Sequence, residues 1–188
     1  MIISITGKPC SGKSAAIEVL MNKHNFTKFS AGDIFRRIGA EQGMNVLEVN
    51  QSKDVKSIDK LVDDEIIAIG KRDIDKDIIF DSRTAWFFIP ESFKVFLDID
   101  PQEAAKRLLS SGRTTENVNV SLEEAVDDLA KRWEVENNRY LELYGFDNRN
   151  PNNYNLVVDT TNMTINEVAD EIYKNYIKYI EEKVQNHQ

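Results

Sequence analysis

Eight residues near the amino terminus combine two glycines, a lysine and a serine at fixed spacing. They match the pattern G-x-x-x-x-G-K-[ST] without a mismatch and read Gly7-Lys8-Pro9-Cys10-Ser11-Gly12-Lys13-Ser14. Glycines let backbone N–H groups turn inward around phosphate oxygens, while the lysine reaches the terminal phosphates and the serine hydroxyl binds Mg²⁺. We therefore predict a phosphate-binding loop over residues 7–14, with Lys13 on the β- and γ-phosphates and Ser14 as a metal ligand.

This loop requires a strand before it and a helix after it. Ile2 to Thr6 is a continuous apolar run, typical of a buried strand, and a helical pattern continues from the loop to about His24. The amino-terminal end of that helix would point its positive dipole at the same site. Cys10 lies within the loop, where a reactive thiol is one interpretation and a small, tolerated side chain is the favoured one.

Short apolar runs alternate with longer helical patterns along the rest of the chain. Further strands are predicted at 27–30, 77–81, 93–99 and 154–159, and helices at 33–43, 57–72, 101–111, 121–144 and 164–184. This alternation predicts an α/β fold, in which a parallel sheet of five strands carries helices on both faces. In such sheets ligands bind at the carboxyl ends of the strands, so the chemistry is expected just after each strand.

Charged residues do follow the predicted strands. Asp81 closes the third strand, where an acid can hold Mg²⁺ through water, and Arg83 follows it with a guanidinium suited to an acceptor phosphate. The alternative, in which Asp81 caps a turn and Arg83 is a surface charge, stays open. After the second strand, Asp33 is predicted to cap a helix on which Arg36 could face the same crevice.

The long helix predicted from Ser121 carries Arg132, Glu136 and Arg139 at positions i, i+4 and i+7, which share one face. They form either a salt-bridge ladder worth a few tenths of a kcal/mol per pair or a pair of phosphate-binding arginines beside a carboxylate. The polar segment before this helix, residues 112–120, contains Arg113. We interpret it as a lid that closes over the phosphates.

Composition limits the function classes. The 188 residues carry a net charge of -8, which argues against non-specific nucleic-acid binding, and no apolar run approaches the roughly 20 residues of a membrane span. Cys10 is the only cysteine, so neither an internal disulfide nor a cysteine-based zinc site is possible. We expect a single domain over 1–188, without a signal peptide, that is located in the cytoplasm and is monomeric.

With these residues in place, the chain resembles the nucleoside-monophosphate kinases, and within them the short, archaeal-type cytidylate kinase-like family. The resemblance rests on four anchors: the loop at 7–14, Ser-Ala-Gly-Asp-Ile-Phe-Arg at 30–36, the strand with its arginine at 78–83, and Arg132-x-Glu134-x-Glu136-x-x-Arg139-Tyr140 continuing to Asp147. It implies a three-layer P-loop NTPase fold, a helical acceptor-binding segment at about 33–72 and a short lid at about 112–120.

The resemblance also implies roles for the site residues. Residues 7–14 and Arg113 would bind the phosphates of ATP, and Mg²⁺ would be held by Ser14 and, through water, by Asp81. The acceptor would contact five residues: Ser30, Asp33, Arg36, Arg83 and Glu136. Arg132 and Arg139 would lie on either side of the transferred phosphoryl group. The acceptor implied is CMP or dCMP.

Two departures leave the acceptor base open. Thr84 follows Arg83 where larger bacterial cytidylate kinases have an aspartate that helps to read cytosine, and Ala31 replaces a hydroxyl that adenylate kinases use. UMP or AMP therefore remain alternatives, as do the acceptors of other P-loop kinases, such as shikimate or dephospho-coenzyme A. A nucleotide-binding switch without an acceptor is disfavoured because the sequence lacks an Asn-Lys-x-Asp base-reading motif.

Overall fold

The structure is a computed structural model that describes residues 2–44, 48–49, 55–73, 76–111 and 120–185. The strands are β1 (Ile2–Gly7), β2 (Thr27–Ser30), β3 (Ile78–Asp81), β4 (Phe93–Asp98) and β5 (Leu156–Asp159). The helices are α1 (Lys13–His24), α2 (Ala31–Glu41), α3 (Val55–Arg72), α4 (Ala85–Phe88), α5 (Pro101–Ser110), α6 (Leu122–Tyr144) and α7 (Ile165–Gln185). A short 3-10 helix spans Pro151–Asn153.

The five strands form one parallel sheet in the order β2-β3-β1-β4-β5. The central strand β1 pairs with β3 on one side and with β4 on the other, so that Ile5 lies opposite Asp81 and Gly7 opposite Leu97. The carboxyl ends of β3, β1 and β4 therefore meet where the phosphate loop begins. The predicted α/β class and all-parallel sheet are confirmed.

Side chains that alternate along β1 fill two separate cores, one on each face of the sheet. Ile3 and Ile5 pack with buried residues of α1 and α7, whereas Ile2 packs with buried residues of α2 and α3. Because both faces are covered, the strands read as continuous apolar runs in the sequence. The result is the predicted three-layer arrangement.

A third, smaller cluster fixes the long helix α6. Trp86 of α4 packs against Tyr140 of α6 and against Phe146, and α6 also packs along α5. A capping box at Ser121 and Glu124 starts α6, as predicted, and Gly145 in a left-handed conformation ends it. These contacts hold α6 in place, with Glu136 directed towards the end of β3.

Three local features differ from the predictions. Helix α2 begins at Ala31 rather than Asp33, and the side chain of Ser30 accepts a hydrogen bond from the Asp33 N–H at 3.2 Å. Ser30 is therefore the cap and the prediction for Asp33 is wrong, because the extended backbone of Ser30 already supplies the N-cap geometry. Helix α4 and the 3-10 helix were not predicted, since both are too short to show a periodic pattern.

Candidate functional site

The phosphate loop is pinned against β4 at its first residue. A Cβ atom on Gly7 would lie 2.5 Å from the carbonyl oxygen of Leu97, so only glycine fits there. The next N–H, of Lys8, donates to the same carbonyl at 3.0 Å. At the other end of the loop, Gly12 adopts a left-handed conformation with φ of 83° and leads into α1. The strand, loop and helix that the motif requires are all present.

Lys13 lies in the first turn of α1 and donates a hydrogen bond to Asp81 at the end of β3. Burial of the Lys13 ammonium, followed by the nearby charge of Arg83, lowers its pKa. The carboxylate of Glu136 opposes that shift because a nearby negative charge favours the protonated amine. Lys13 is therefore enclosed and ion-paired, and an incoming phosphate would compete with Asp81 for it.

Ser14 and Asp81 fit a Mg²⁺ ion in donor chemistry, since both offer oxygen. The side chain of Ser14 is exposed in the first turn of α1, next to the loop. Within the described residues no group of three or more His, Cys, Asp or Glu side chains could hold a metal ion. A magnesium ion here would consequently depend on nucleotide phosphates and water for most of its ligands, as is usual for Mg²⁺.

Arg83 reaches the phosphate loop directly. Its Nη1 donates to the carbonyl oxygen of Gly7, its Nε donates to Glu136 Oε2 at 2.9 Å, and its guanidinium lies 5.0 Å from the ring centre of Trp133. The side chain is only 17% exposed, which excludes the alternative of a surface charge. Arg83 thus joins the end of β3, the loop and α6.

Glu136 is the centre of the charged face of α6. Its second oxygen lies 3.3 Å from Arg132 Nε. Burial of the Glu136 carboxyl would by itself raise its pKa, but the guanidinium groups of Arg83, Arg132 and Arg139 outweigh burial and hold the pKa below its usual value. One part of the predicted salt-bridge ladder, Arg132 with Glu136, is therefore present.

Arg139, one turn further along α6, faces a different partner. Its Nε lies 2.9 Å from Asp59 Oδ2 of α3, and both side chains are largely buried. Arg132 is 66% exposed, so the two arginines predicted to lie on either side of the phosphoryl group have different environments. Arg36 is exposed and paired with Asp33 on the surface of α2. Arg113 lies outside the described residues, as does nearly all of the predicted lid.

The charged residues share one arrangement. Among the described residues, the cations predicted to bind phosphate each contact a carboxylate: Lys13, Arg36, Arg83, Arg132 and Arg139. Lys8 follows the same rule, with its Nζ 2.6 Å from Asp98 Oδ1. Phosphates, like carboxylates, are negatively charged hydrogen-bond acceptors, so this set of cations is suited to exchange one anion for another.

Comparisons with known proteins agree with this geometry. The AAA domain family matches residues 3–140 of the chain. Cytidylate kinase of Sulfurisphaera tokodaii is 30% identical over 94% of this chain and 97% of its own length. The chain belongs to the AAA domain family and to the cytidylate kinase family. Cytidylate kinase of Pyrobaculum calidifontis is 28% identical over 90% of this chain and 89% of its own length.

Solved structures support the fold of this P-loop kinase. Shikimate kinase from Bacteroides thetaiotaomicron superposes with a TM-score of 0.63 at 12% identity, covering 93% of this chain and 97% of its own. Shikimate kinase from Acinetobacter baumannii, in complex with shikimate, gives a TM-score of 0.58 at 14% identity, covering 95% and 93%. At such identities the likeness concerns the fold alone.

Two groups of site residues in this cytidylate kinase family member were not predicted. The first is Arg107 of α5, whose Nη1 would lie 3.9 Å from a Cβ on Gly12 and whose Nη2 donates to the carbonyl oxygens of Thr160 and Thr161 at 2.9 and 3.1 Å. It connects the phosphate loop with the turn after β5. Its position on the helix that follows β4 was the available signal, because that helix begins at the ligand-binding edge of the sheet.

The second group is acidic. Asp59 and Asp63 lie one turn apart on α3 and are buried, with 5% and 4% of their surface exposed. Asp63 accepts hydrogen bonds from Thr84 Oγ1 at 2.6 Å and from the hydroxyl of Tyr144. The signal was present in the sequence, since each acid lies beside an apolar residue of the buried face of α3, Ile58 and Val62.

Proposed function

We propose that this protein transfers the terminal phosphoryl group of ATP to CMP or dCMP, giving ADP and the corresponding diphosphate. The observation that carries the proposal is Arg83, an enclosed guanidinium that contacts the phosphate loop itself. A monophosphate held by this arginine would lie beside the phosphates held by the loop. The names of the relatives, cytidylate kinase in two archaeal species, support the choice of acceptor.

The reaction needs positioning and charge more than covalent help. An oxygen of the acceptor phosphate attacks the γ-phosphorus, the bond from that phosphorus to the β–γ bridging oxygen breaks, and ADP leaves. No general base is needed because the attacking oxygen is already anionic. Backbone N–H groups of residues 7–14 and the ammonium of Lys13 would hold the donor, with Arg113 from the lid as a further phosphate contact.

On the acceptor side, Arg83 and Arg36 would bind the phosphate, with Ser30 and Asp33 nearby. Glu136 would contact the sugar, and Arg132 with Arg139 would neutralise charge on the transferred group. These roles require Arg83 and Arg139 to exchange a carboxylate for a phosphate. The enclosed carboxylates of Glu136 and Asp59 are well placed to hold both guanidinium groups until the substrates bind.

Mg²⁺ bound by Ser14 and, through water, by Asp81 would supply charge neutralisation at the β- and γ-phosphates. We further propose a single P-loop domain with an acceptor-binding segment at 33–72 and a lid at 112–120. A monomer in the cytoplasm, acting without nucleic acid, fits the acidic composition. Among the described residues, no helix has the length and apolarity needed to cross a membrane.

The test is release of ADP from ATP-Mg²⁺ in the presence of a panel of acceptors: CMP, dCMP, UMP, AMP, shikimate and dephospho-coenzyme A. CMP or dCMP should give the highest kcat/KM, and Lys13→Ala run in parallel should abolish the signal. If shikimate or dephospho-coenzyme A were the preferred acceptor, the nucleotide assignment would be wrong. Hydrolysis of ATP without any acceptor preference would contradict a kinase.

A further inference from the structure

In the proposed reaction the buried acids of α3 make no contact with a substrate. Asp59 is 5% exposed, yet its Oδ2 has no hydrogen-bond partner among the residues that the structure describes. Arg139 Nε, 2.9 Å away, likewise lacks a hydrogen bond, so the two groups form an ion pair without hydrogen-bond alignment. A buried polar atom without a hydrogen bond is rare in proteins and requires an explanation, such as strain, an ordered water, an ion, a ligand or a catalytic role.

Two ion pairs made by residues of α6 determine where Asp59 lies relative to the acceptor. Glu136 reaches Arg83 at 2.9 Å, and Arg139, one turn later, reaches Asp59 at 2.9 Å. One helical turn is about 5 Å long. A nucleotide with its phosphate on Arg83 and its sugar near Glu136 would therefore extend its base along α6 towards Asp59.

Thr84 links Arg83, which would hold the acceptor phosphate, to the buried acids of α3. It follows Arg83 directly, and its hydroxyl donates to Asp63 Oδ1, while the hydroxyl of Tyr144 donates to Asp63 Oδ2. Both carboxylate oxygens of Asp63 therefore accept hydrogen bonds from the protein, and Asp63 serves to hold Thr84 and Tyr144 in position. Asp59, in contrast, accepts no hydrogen bond from any described residue at Oδ2, which faces Arg139 as an ion pair.

From these contacts, and resting on the proposed function, we propose that Asp59 accepts a hydrogen bond from the exocyclic amine of the acceptor base and thereby selects cytosine over uracil. A carboxylate can only accept hydrogen bonds. Cytosine presents an amine at position 4, whereas uracil presents a carbonyl oxygen that would meet the carboxylate with like polarity. Sites with a buried polar group reject analogues that leave that group unpaired.

The first test changes Asp59→Asn, which keeps the shape of the side chain and adds a donor. We expect the ratio of kcat/KM for CMP to that for UMP to fall by about tenfold or more, because the new amide can donate to the uracil carbonyl. Asp64→Asn, an exposed acid further along the same helix, is the matched control and should leave the ratio unchanged. An unchanged ratio in a folded Asp59→Asn variant would overturn the proposal.

The second test leaves the enzyme intact, so that it does not depend on the folding of the variant. The acceptor is the monophosphate of the pyrimidin-2-one ribonucleoside, which lacks only the 4-amino group of CMP. Wild-type kcat/KM should fall by about tenfold or more relative to CMP. Equal turnover of the two acceptors would overturn the role of Asp59, whereas failure to phosphorylate any nucleotide would overturn the proposed function instead.

Discussion

The phosphate side and the acceptor side of the site differ in what holds them in place. On the phosphate side the backbone holds the site in place, since Gly7 is packed against Leu97 and the loop joins the central strand to α1. On the acceptor side, side chains from α3, α6 and the end of β3 hold one another through ion pairs and hydrogen bonds. The first can be rigid before any ligand binds, whereas the second can exchange partners.

This difference has a consequence for specificity. Every nucleoside triphosphate presents the same phosphates, so a fixed backbone cradle serves them all. Acceptors differ in sugar and base, and the side chains that meet them are bound to each other in a network: Arg83 with Glu136, and Arg139 with Asp59. The correct acceptor would then be selected because its own groups can replace the carboxylates that pair with these arginines in the free protein.

The largest effect is expected on the phosphate side. Lys13→Ala should lower kcat by on the order of 10³-fold, because it removes a positive charge from the phosphates where negative charge develops. The protein should remain folded, since the lysine contacts Asp81 rather than either apolar core. Steady-state ADP release and thermal unfolding would be measured together. Turnover of the Lys13→Ala variant at the wild-type rate would contradict the proposed mechanism.

Arg139→Ala should lower kcat by on the order of 10²-fold, as expected for a charge that acts mainly on the transition state. The variant also leaves Asp59 buried without its ion pair, so the melting temperature should fall as well. Arg37→Ala, a surface arginine paired with Glu41 and Glu65, is the control for losing an ion pair alone. A drop in melting temperature with unchanged kcat would assign Arg139 to structure only.

Arg83→Ala should raise the KM for the acceptor by about 30-fold and leave the KM for ATP nearly unchanged, because a charge-assisted hydrogen bond contributes roughly 2 kcal/mol. Initial rates with each substrate varied in turn would show the difference. Since Arg83 also donates to the carbonyl of Gly7, the experiment distinguishes its two contacts. Equal increases in both KM values would mean that the arginine supports the loop rather than binding the acceptor.

The same division explains what the sequence could predict. The loop, the five strands and the capping box of α6 are local patterns, and the structure has all of them. The pairing of Arg83 with Glu136 joins residues 53 positions apart, and that of Asp63 with Tyr144 joins residues 81 apart. Only the folded arrangement of α3 and α6 reveals such partners, which is why Asp59 and Asp63 were not predicted.

Short elements were missed for a related reason. Helix α4 has four residues, too few for a 3.6-residue period, and it depends on Ser82, whose hydroxyl accepts hydrogen bonds from the N–H groups of Thr84 and Ala85. The cap of α2 was misplaced by three residues because both Ser30 and Asp33 are good capping residues. Sequence indicates which side chains are able to cap, and the backbone conformation decides between them.

The smallest expected effect concerns pH and tests the acceptor side alone. Burial, opposed by Arg139 and assisted by Asp63 and by Glu136 from α6, raises the pKa of Asp59 to about 6. Below that pH the carboxyl becomes protonated and can itself donate to a uracil carbonyl. The preference for CMP over UMP should therefore be constant above pH 7 and decrease by up to about tenfold as the pH falls to 5.

The ratio of kcat/KM for CMP to kcat/KM for UMP is the quantity to measure. Both carry the same phosphate, whose second pKa near 6 would otherwise dominate the profile, and its titration cancels in the ratio. Asp59→Asn should make the ratio independent of pH, because the titrating group is gone. A flat ratio in the wild type, or a pH-dependent ratio that persists in the Asn variant, would place base selection on some other group than the acid of α3.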